Sequence, residues 1–399
     1  MRRYKYKAKD AKTGAALKGS IQAESERAAG KLLVERGYLP TSLVEEDSGG
    51  LFGGSSKVTT KDKIVFNRQF ATLIGAGLPL AQSLRTVGEQ TINKTMKGVI
   101  ETILSDIEAG RTLAEAFAKH PKVFDKVYLA LIAAGEMSGT LDQSLKRLAM
   151  QQEKDAAMMS KIRGALIYPA IVLVVIMLVV AFMMFTVVPQ VENLYKDLKQ
   201  PLPALTAFLV GFANFLMAYW WLVILIAAGF IWFFIQFLHT KTGIEMSATF
   251  KLNVPMFKNL FRRLYMARFA RTAQILLATG VAMLDTLRIS GEAMANVVVQ
   301  KSVDEAAEMV QGGKAFSDSI RGKDYIMPLI PQMSSIGEQS GKMDEMLGKA
   351  AQVYEDELDE QIRTISTMIE PVLMVFLAVV AGGMIAAILF PIYALVNMV

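Results

Sequence analysis

The chain has 399 residues, 53% of them hydrophobic and 20% charged, with a mean hydropathy of +0.35 and a formal net charge of +6. It contains no cysteine, which excludes disulfides, a thiolate zinc site and a thiol nucleophile. Its basic residues gather beside apolar runs rather than in a patch of their own, so they point to a membrane and not to nucleic acid.

Residues 1–46 read as a small α+β domain, with short strands at Tyr4–Ala8 and Leu17–Ala23 around a turn at Thr13-Gly14. Ser25 is the expected cap of a helix running through Ala28, Leu32 and Leu33 to Gly37. Charge without a following apolar segment at MRRYKYKAKD argues against a cleaved signal peptide, so this part is expected to stay in the cytoplasm. The Gly/Ser-rich stretch 47–58 reads as a flexible linker. Its Gly49–Gly54 run lacks the lysine of a phosphate loop.

Residues 59–165 read as all helical. Thr60 is a candidate cap before a segment whose Ile64, Phe66, Phe70, Leu73 and Ile74 share one face, and Pro79 opens the next helix. Further helices are expected at Lys94–Ala109, Thr112–Lys119, Lys122–Ala134 and Leu141–Lys161. Residues 166–188 contain no charge, and 23 helical residues reach about 35 Å, enough to cross a hydrocarbon core of about 30 Å. Pro189 is expected to end that span, and Pro201 and Pro203 to break the loop after it. The region 189–217 reads as a loop with an interfacial segment. A second span covers 218–238, with Tyr219, Trp220 and Trp221 at one boundary. Residues 239–370 are again polar and helical, and 371–396 form a third span.

Lys154, Lys161 and Arg163 precede the first span, Lys241, Lys251, Lys258, Arg262 and Arg263 follow the second, and Arg363 precedes the third. The loop between the first two spans holds only Lys196 and Lys199, and the C-terminal tail holds no basic residue. The positive-inside rule therefore places the N-terminus and both helical domains in the cytoplasm and the C-terminus outside it.

Laid against itself at a shift of about 203 residues, the chain repeats. Arg68 meets Arg271, Gly77 meets Gly280, Leu84-Arg85 meets Leu287-Arg288, and Gly88-Glu89 meets Gly291-Glu292. After a one-residue deletion, Gly135-Glu136-Met137-Ser138-Gly139 meets Gly337-Glu338-Gln339-Ser340-Gly341. Pro169 meets Pro371 and Pro189 meets Pro391. The unit duplicated is a helical domain followed by a membrane helix, and the second span returns the chain so that both copies face one way. In the paired G-E-x-S-G segments, Ser138 and Ser340 are candidate helix caps, while Gly139 and Gly341 permit an unusual backbone angle. Glu136 and Glu338 either contact a partner or only fix an interhelical turn. The basic run Lys258, Arg262, Arg263, Arg268 and Arg271 is a candidate surface for an acidic partner or anionic lipid.

These segments, the Tyr168-Pro169 and Glu370-Pro371 span starts, FATLIGAGLPLAQSL, and the opening YKYKAKDAKTGAALKG with ERGYLP resemble the type II secretion system F family over nearly the whole chain. The resemblance implies an all-α polytopic inner-membrane platform with two cytoplasmic six-helix bundles that oligomerises. Its implied partners are a hexameric assembly ATPase, pilin or pseudopilin subunits, other inner-membrane assembly proteins and membrane lipids. A type IV pilus is the expected machine, with a type II secretion system as the alternative and a transporter or signalling adaptor behind both. No catalytic motif, cofactor site or calcium-loop spacing is found, so no enzyme activity and no metal is expected. His120 and His239 lie far apart in sequence and read as loop or interfacial residues. The carboxylates Asp356, Glu357, Asp359 and Glu360 read as a solvated helix face.

Overall fold

The computed structural model describes residues 2–10, 16–23, 26–35, 37–45, 57–197, 203–255 and 257–396. The expected turn at Thr13-Gly14, the Ser25 cap, most of the 47–58 linker and Pro201 lie outside them. The chain divides into an N-terminal unit and a larger unit that carries the rest.

In the N-terminal unit the backbone forms strands β1 (Arg2–Asp10) and β2 (Ala16–Ala23), then helix α1 (Glu26–Glu35) and strand β3 (Tyr38–Glu45). The sheet order is β2-β1-β3 and both pairings are antiparallel. Strand β3 was not anticipated, because Pro40 interrupts its alternation. The proline is accommodated at a register shift, where Ala8 pairs with Pro40 after Lys7 pairs with Ser42.

In the larger unit the first bundle comprises α2 (Thr60–Gly75), α3 (Leu80–Gln90), α4 (Lys94–Glu108), α5 (Leu113–Ala118), α6 (Lys126–Ser138) and the start of α7 (Leu141–Phe182). Thr59 caps α2, one residue earlier than expected, because Asp62 three residues on completes a reciprocal capping box. Helix α6 begins at Lys126 and not at Lys122, since Asp125 accepts from Tyr128 N–H as its cap. Phe66, Phe70, Phe117, Phe124 and Tyr128 form the buried aromatic centre, with Phe117 and Phe124 rings 4.5 Å apart in an edge-on packing. Tyr128 is fully buried, and its hydroxyl donates to Asn67 at 2.9 Å.

Helix α7 does not stop at Lys161. It runs 42 residues, through Pro169, from the bundle into the apolar segment. Nor does the helical course end at Pro189. A proline lacks its N–H and crowds the carbonyl four residues back. The chain widens into a π turn at Met183–Val187 just before it, then continues as α8 (Val188–Asp197). Pro203 precedes α9 (Ala204–Leu238), two helical segments joined at a kink where Tyr219 takes non-helical angles, beside the expected start of the second span. The expected 189–217 loop is therefore mostly helical.

After α10 (Lys241–Asn253) the second bundle repeats the first: α11 (Lys258–Ala278), α12 (Met283–Ala293), α13 (Val297–Gln311), α14 (Phe316–Ile320), α15 (Leu329–Ser340) and α16 (Met343–Val396). Each of the six has a counterpart in α2 to α7, in order and nearly equal in length except where α11 is longer and α7 and α16 run into the membrane. The helix that carries the third span does not begin at Pro371. Helix α16 continues 54 residues across it, a rod of about 80 Å. Among the described residues, three helices are long and apolar enough to cross a membrane.

Candidate functional site

The two G-E-x-S-G segments close α6 and α15, and each of their residues has a mechanical task. Gly139 and Gly341 take left-handed φ values of 70° and 69° as the helices end. Gly135 and Gly337 let the next helix approach. A Cβ at Gly337 would lie 2.8 Å from the Met343 Cα, and one at Gly135 would lie 2.5 Å from the Ser144 hydroxyl.

The Glu136 carboxylate accepts from Leu113 N–H at 2.8 Å and Ala114 N–H at 3.2 Å, closing the open start of α5. Glu338 does the same for α14, taking Phe316 N–H at 2.6 Å, Ser317 N–H at 3.3 Å and the Ser317 hydroxyl at 2.5 Å. Ser138 and Ser340 do not cap the following helix. Their hydroxyls donate back to Ala134 and Ile336 carbonyls at 2.7 Å. The motif is thus a corner that locks three helices together, written twice.

The basic run on α11 is largely turned inward. Arg263 donates to Glu357 at 2.6 Å, and Arg271 grips Glu355 through two nitrogens at 2.7 and 2.8 Å. The Arg262 guanidinium lies 5.3 Å over the Tyr325 ring. Arg268 faces the first bundle. The Glu357 and Asp359 carboxylates, expected as a solvated face, are therefore paired, Asp359 with Lys161 of α7 at 2.5 Å.

That last pair belongs to a seam between the two copies, which sequence reasoning did not reach. Lys126 of α6 meets Glu292 of α12 at 2.7 Å, and Lys154 of α7 meets Glu355 of α16 at 3.3 Å. Met158, Ile162 and Ala165 pack beneath on Leu260, Leu264, Leu358 and Ile362. The signal was available in the spacing: Lys154 and Lys161 are two turns apart on one helix, and Glu355 and Asp359 one turn apart on the other.

A cleft of about 630 Å³ opens along the seam, with Asp155 and Gln151 on one wall and Arg268 and Thr272 on the other. Burial pushes the Asp155 carboxyl up from its ordinary value, and the positive charge of Arg268 opposes the rise. A carboxyl raised in the folded state holds its proton more tightly there. Its stability contribution is complete below the unfolded pKa and is lost as pH rises through the folded one. Asp155→Asn should therefore gain thermal stability relative to the parent as pH rises from 4 to 7. Melting curves of the two proteins across that range, which should converge at the acid end, check this.

The repeat also contains an internal comparison. Arg68 faces Glu153 at 3.5 Å in the first copy as Arg271 faces Glu355 in the second. Arg68 is 74% exposed and Arg271 only 14%. Arg271→Ala should destabilise the protein by about 2–3 kcal/mol, since it leaves Glu355 with Lys154 alone in a half-dry site. Arg68→Ala should cost less than about 0.5 kcal/mol. Thermal unfolding of both variants in one detergent measures the difference.

His120 lies in the turn before α6 and His239 caps the end of α9. Among the described residues no group of three or more His, Cys, Asp or Glu side chains is placed to hold a metal ion.

Compared with known proteins, residues 66–189 and 269–391 both match the family model of the type II secretion system protein F, and residues 1–44 match that protein's N-terminal domain. The type IV pilus assembly protein PilC of Thermus thermophilus is 34% identical, covering 99% of this chain and 98% of its own length. PilC of Pseudomonas aeruginosa is 35% identical over 88% of this chain and 94% of its own. The type II secretion system protein F of Vibrio cholerae is 31% identical over 100% and 99%. The two matched segments coincide with the two copies of the bundle-and-span unit. With full-length relatives above 30% identity, they establish that the chain belongs to the type II secretion system protein F family.

Proposed function

We propose that this protein is the inner-membrane platform of a type IV pilus assembly machine, a mechanical part and not an enzyme. Both bundles face the cytoplasm, where they meet a hexameric assembly ATPase, and the spans meet pilin subunits that enter or leave the filament. The observation that carries this reading is the continuity of α7 and α16. Each passes from a bundle into the membrane without a loop, and the two are laced side by side through Lys154–Glu355 and Lys161–Asp359. A push on either bundle is then delivered to a span with little lost in bending. The two similar bundles offer a ring-shaped motor two related faces.

The full-length likeness to PilC proteins supports the pilus assignment. The likeness to protein F of secretion systems supports the second reading, a platform for pseudopilus assembly. Self-association and contacts with other inner-membrane assembly proteins fit either machine. Gentle extraction of the tagged protein from native membranes, with crosslinking, tests the proposal. Enrichment of an assembly ATPase with type IV pilins is the expected result. Pseudopilins in their place would move the assignment to secretion, and recovery of neither would overturn the platform reading.

A further inference from the structure

Helix α10 has no counterpart in the first copy, which forms its six-helix bundle without one. It starts three residues after α9 ends, at a tight corner. There the Thr240 hydroxyl donates to the Phe237 carbonyl at 2.6 Å and accepts from Gly243 N–H at 3.1 Å. Its first turn therefore lies against the last turn of a membrane-crossing helix. On another side α10 is fastened to the second bundle. Leu252 is fully buried in that core, and the Ala248 carbonyl accepts from the buried Asn296 amide at 3.3 Å.

The outer face is uncovered, and two large apolar side chains stand on it. Met246 and Phe250, one turn apart, are 59% and 69% exposed. Lys241 and Lys251 stand exposed near the two ends of the helix, with the exposed Glu245 between them. An exposed apolar pair on a helix pinned to the end of a span, with a lysine near each end, has the chemistry of a helix lying in the headgroup layer.

We propose that α10 is an interfacial lipid-binding helix, with Met246 and Phe250 inserted at the acyl boundary and Lys241 and Lys251 on anionic headgroups. The helix thereby holds the second bundle at a fixed height over the bilayer. This inference concerns the membrane surface alone and stands whichever machine the platform serves.

The chain has no cysteine, so single spin labels report cleanly. Met246→Cys and Phe250→Cys are labelled in the full-length protein in vesicles with and without phosphatidylglycerol, with Met137→Cys, 89% exposed on the first bundle, as the water-facing reference. Melting curves matching the unlabelled parent confirm folding. Labels at 246 and 250 should collide with oxygen several-fold more, relative to a soluble nickel chelate, than the label at 137. Omitting phosphatidylglycerol, or combining Lys241→Gln with Lys251→Gln, should reduce that preference. Nickel access at 246 and 250 equal to that at 137 would overturn the proposal. Shielding from both probes would overturn it too, and would indicate a second copy of the chain over this face. Insensitivity to anionic lipid would refute the headgroup contact.

Discussion

Gly243→Ala should cost about 3 kcal/mol or more and loosen the junction between α9 and α10. A Cβ at this position would fall 1.9 Å from the Phe237 carbonyl oxygen and 2.7 Å from its carbonyl carbon. Backbone cannot yield as a flexible side chain does, so the two helices must separate, and the overlap exceeds that of ordinary overpacked cores. Separation also pulls Thr240 from its two hydrogen bonds at the corner. Hydrogen exchange should rise across residues 238–252 while the first bundle keeps its protection. Unchanged exchange there, at an unchanged melting temperature, would show that the corner tolerates a methyl group and that the packing described is wrong.

Gly337→Ala comes second, at about 2–3 kcal/mol. The added methyl would meet the Met343 Cα at 2.8 Å and the Met343 sulfur at 3.0 Å, where α16 begins. It would also displace Glu338, which closes the start of α14, so α14, α15 and α16 should loosen as a unit. In the first copy the nearest atoms to a Cβ at Gly135 belong to the Ser144 side chain, at 2.5 and 2.8 Å. Gly135→Ala should accordingly be rescued in part by Ser144→Gly, whereas no side-chain trimming relieves the backbone contact at Gly337. Thermal unfolding of the two single variants and the double variant in the first copy separates these outcomes.

The duplication, the apolar runs and most helices of the bundles were legible because they rest on periodicity and on colinear repetition. Element ends were legible where a side chain announces them, as Pro79 and Thr112 do before α3 and α5. They were misplaced where proline was read as a boundary, at the start of a span or at its end. Pro169 and Pro371 sit inside continuous helices, and at Pro189 a π turn absorbs the misfit. A helix interior in a membrane tolerates proline because neighbouring segments and local adjustments compensate the lost bond.

The site was read less well, for a different reason. Glu136 and Glu338 stand in the motif as carboxylates without visible partners. Their partners are backbone N–H groups some 22 residues earlier, which no side-chain pattern records. The arginines of α11 read as a free basic stripe until α16 is folded beside them.

The seam between the copies gives the chain a direction. Where the second copy presents Arg268, Glu355 and Asp359 to its neighbour, the matching positions of the first hold Val65, Glu153 and Ala157. Where the first copy presents Lys126, Lys154 and Lys161, the second holds Pro328, Asp356 and Arg363. Exchanging the two would set Asp356 opposite Glu153 and leave Arg363 facing an alanine. What began as two equal halves has become a left and a right hand, and neither can now be dropped, doubled or transposed without losing its grip on the other.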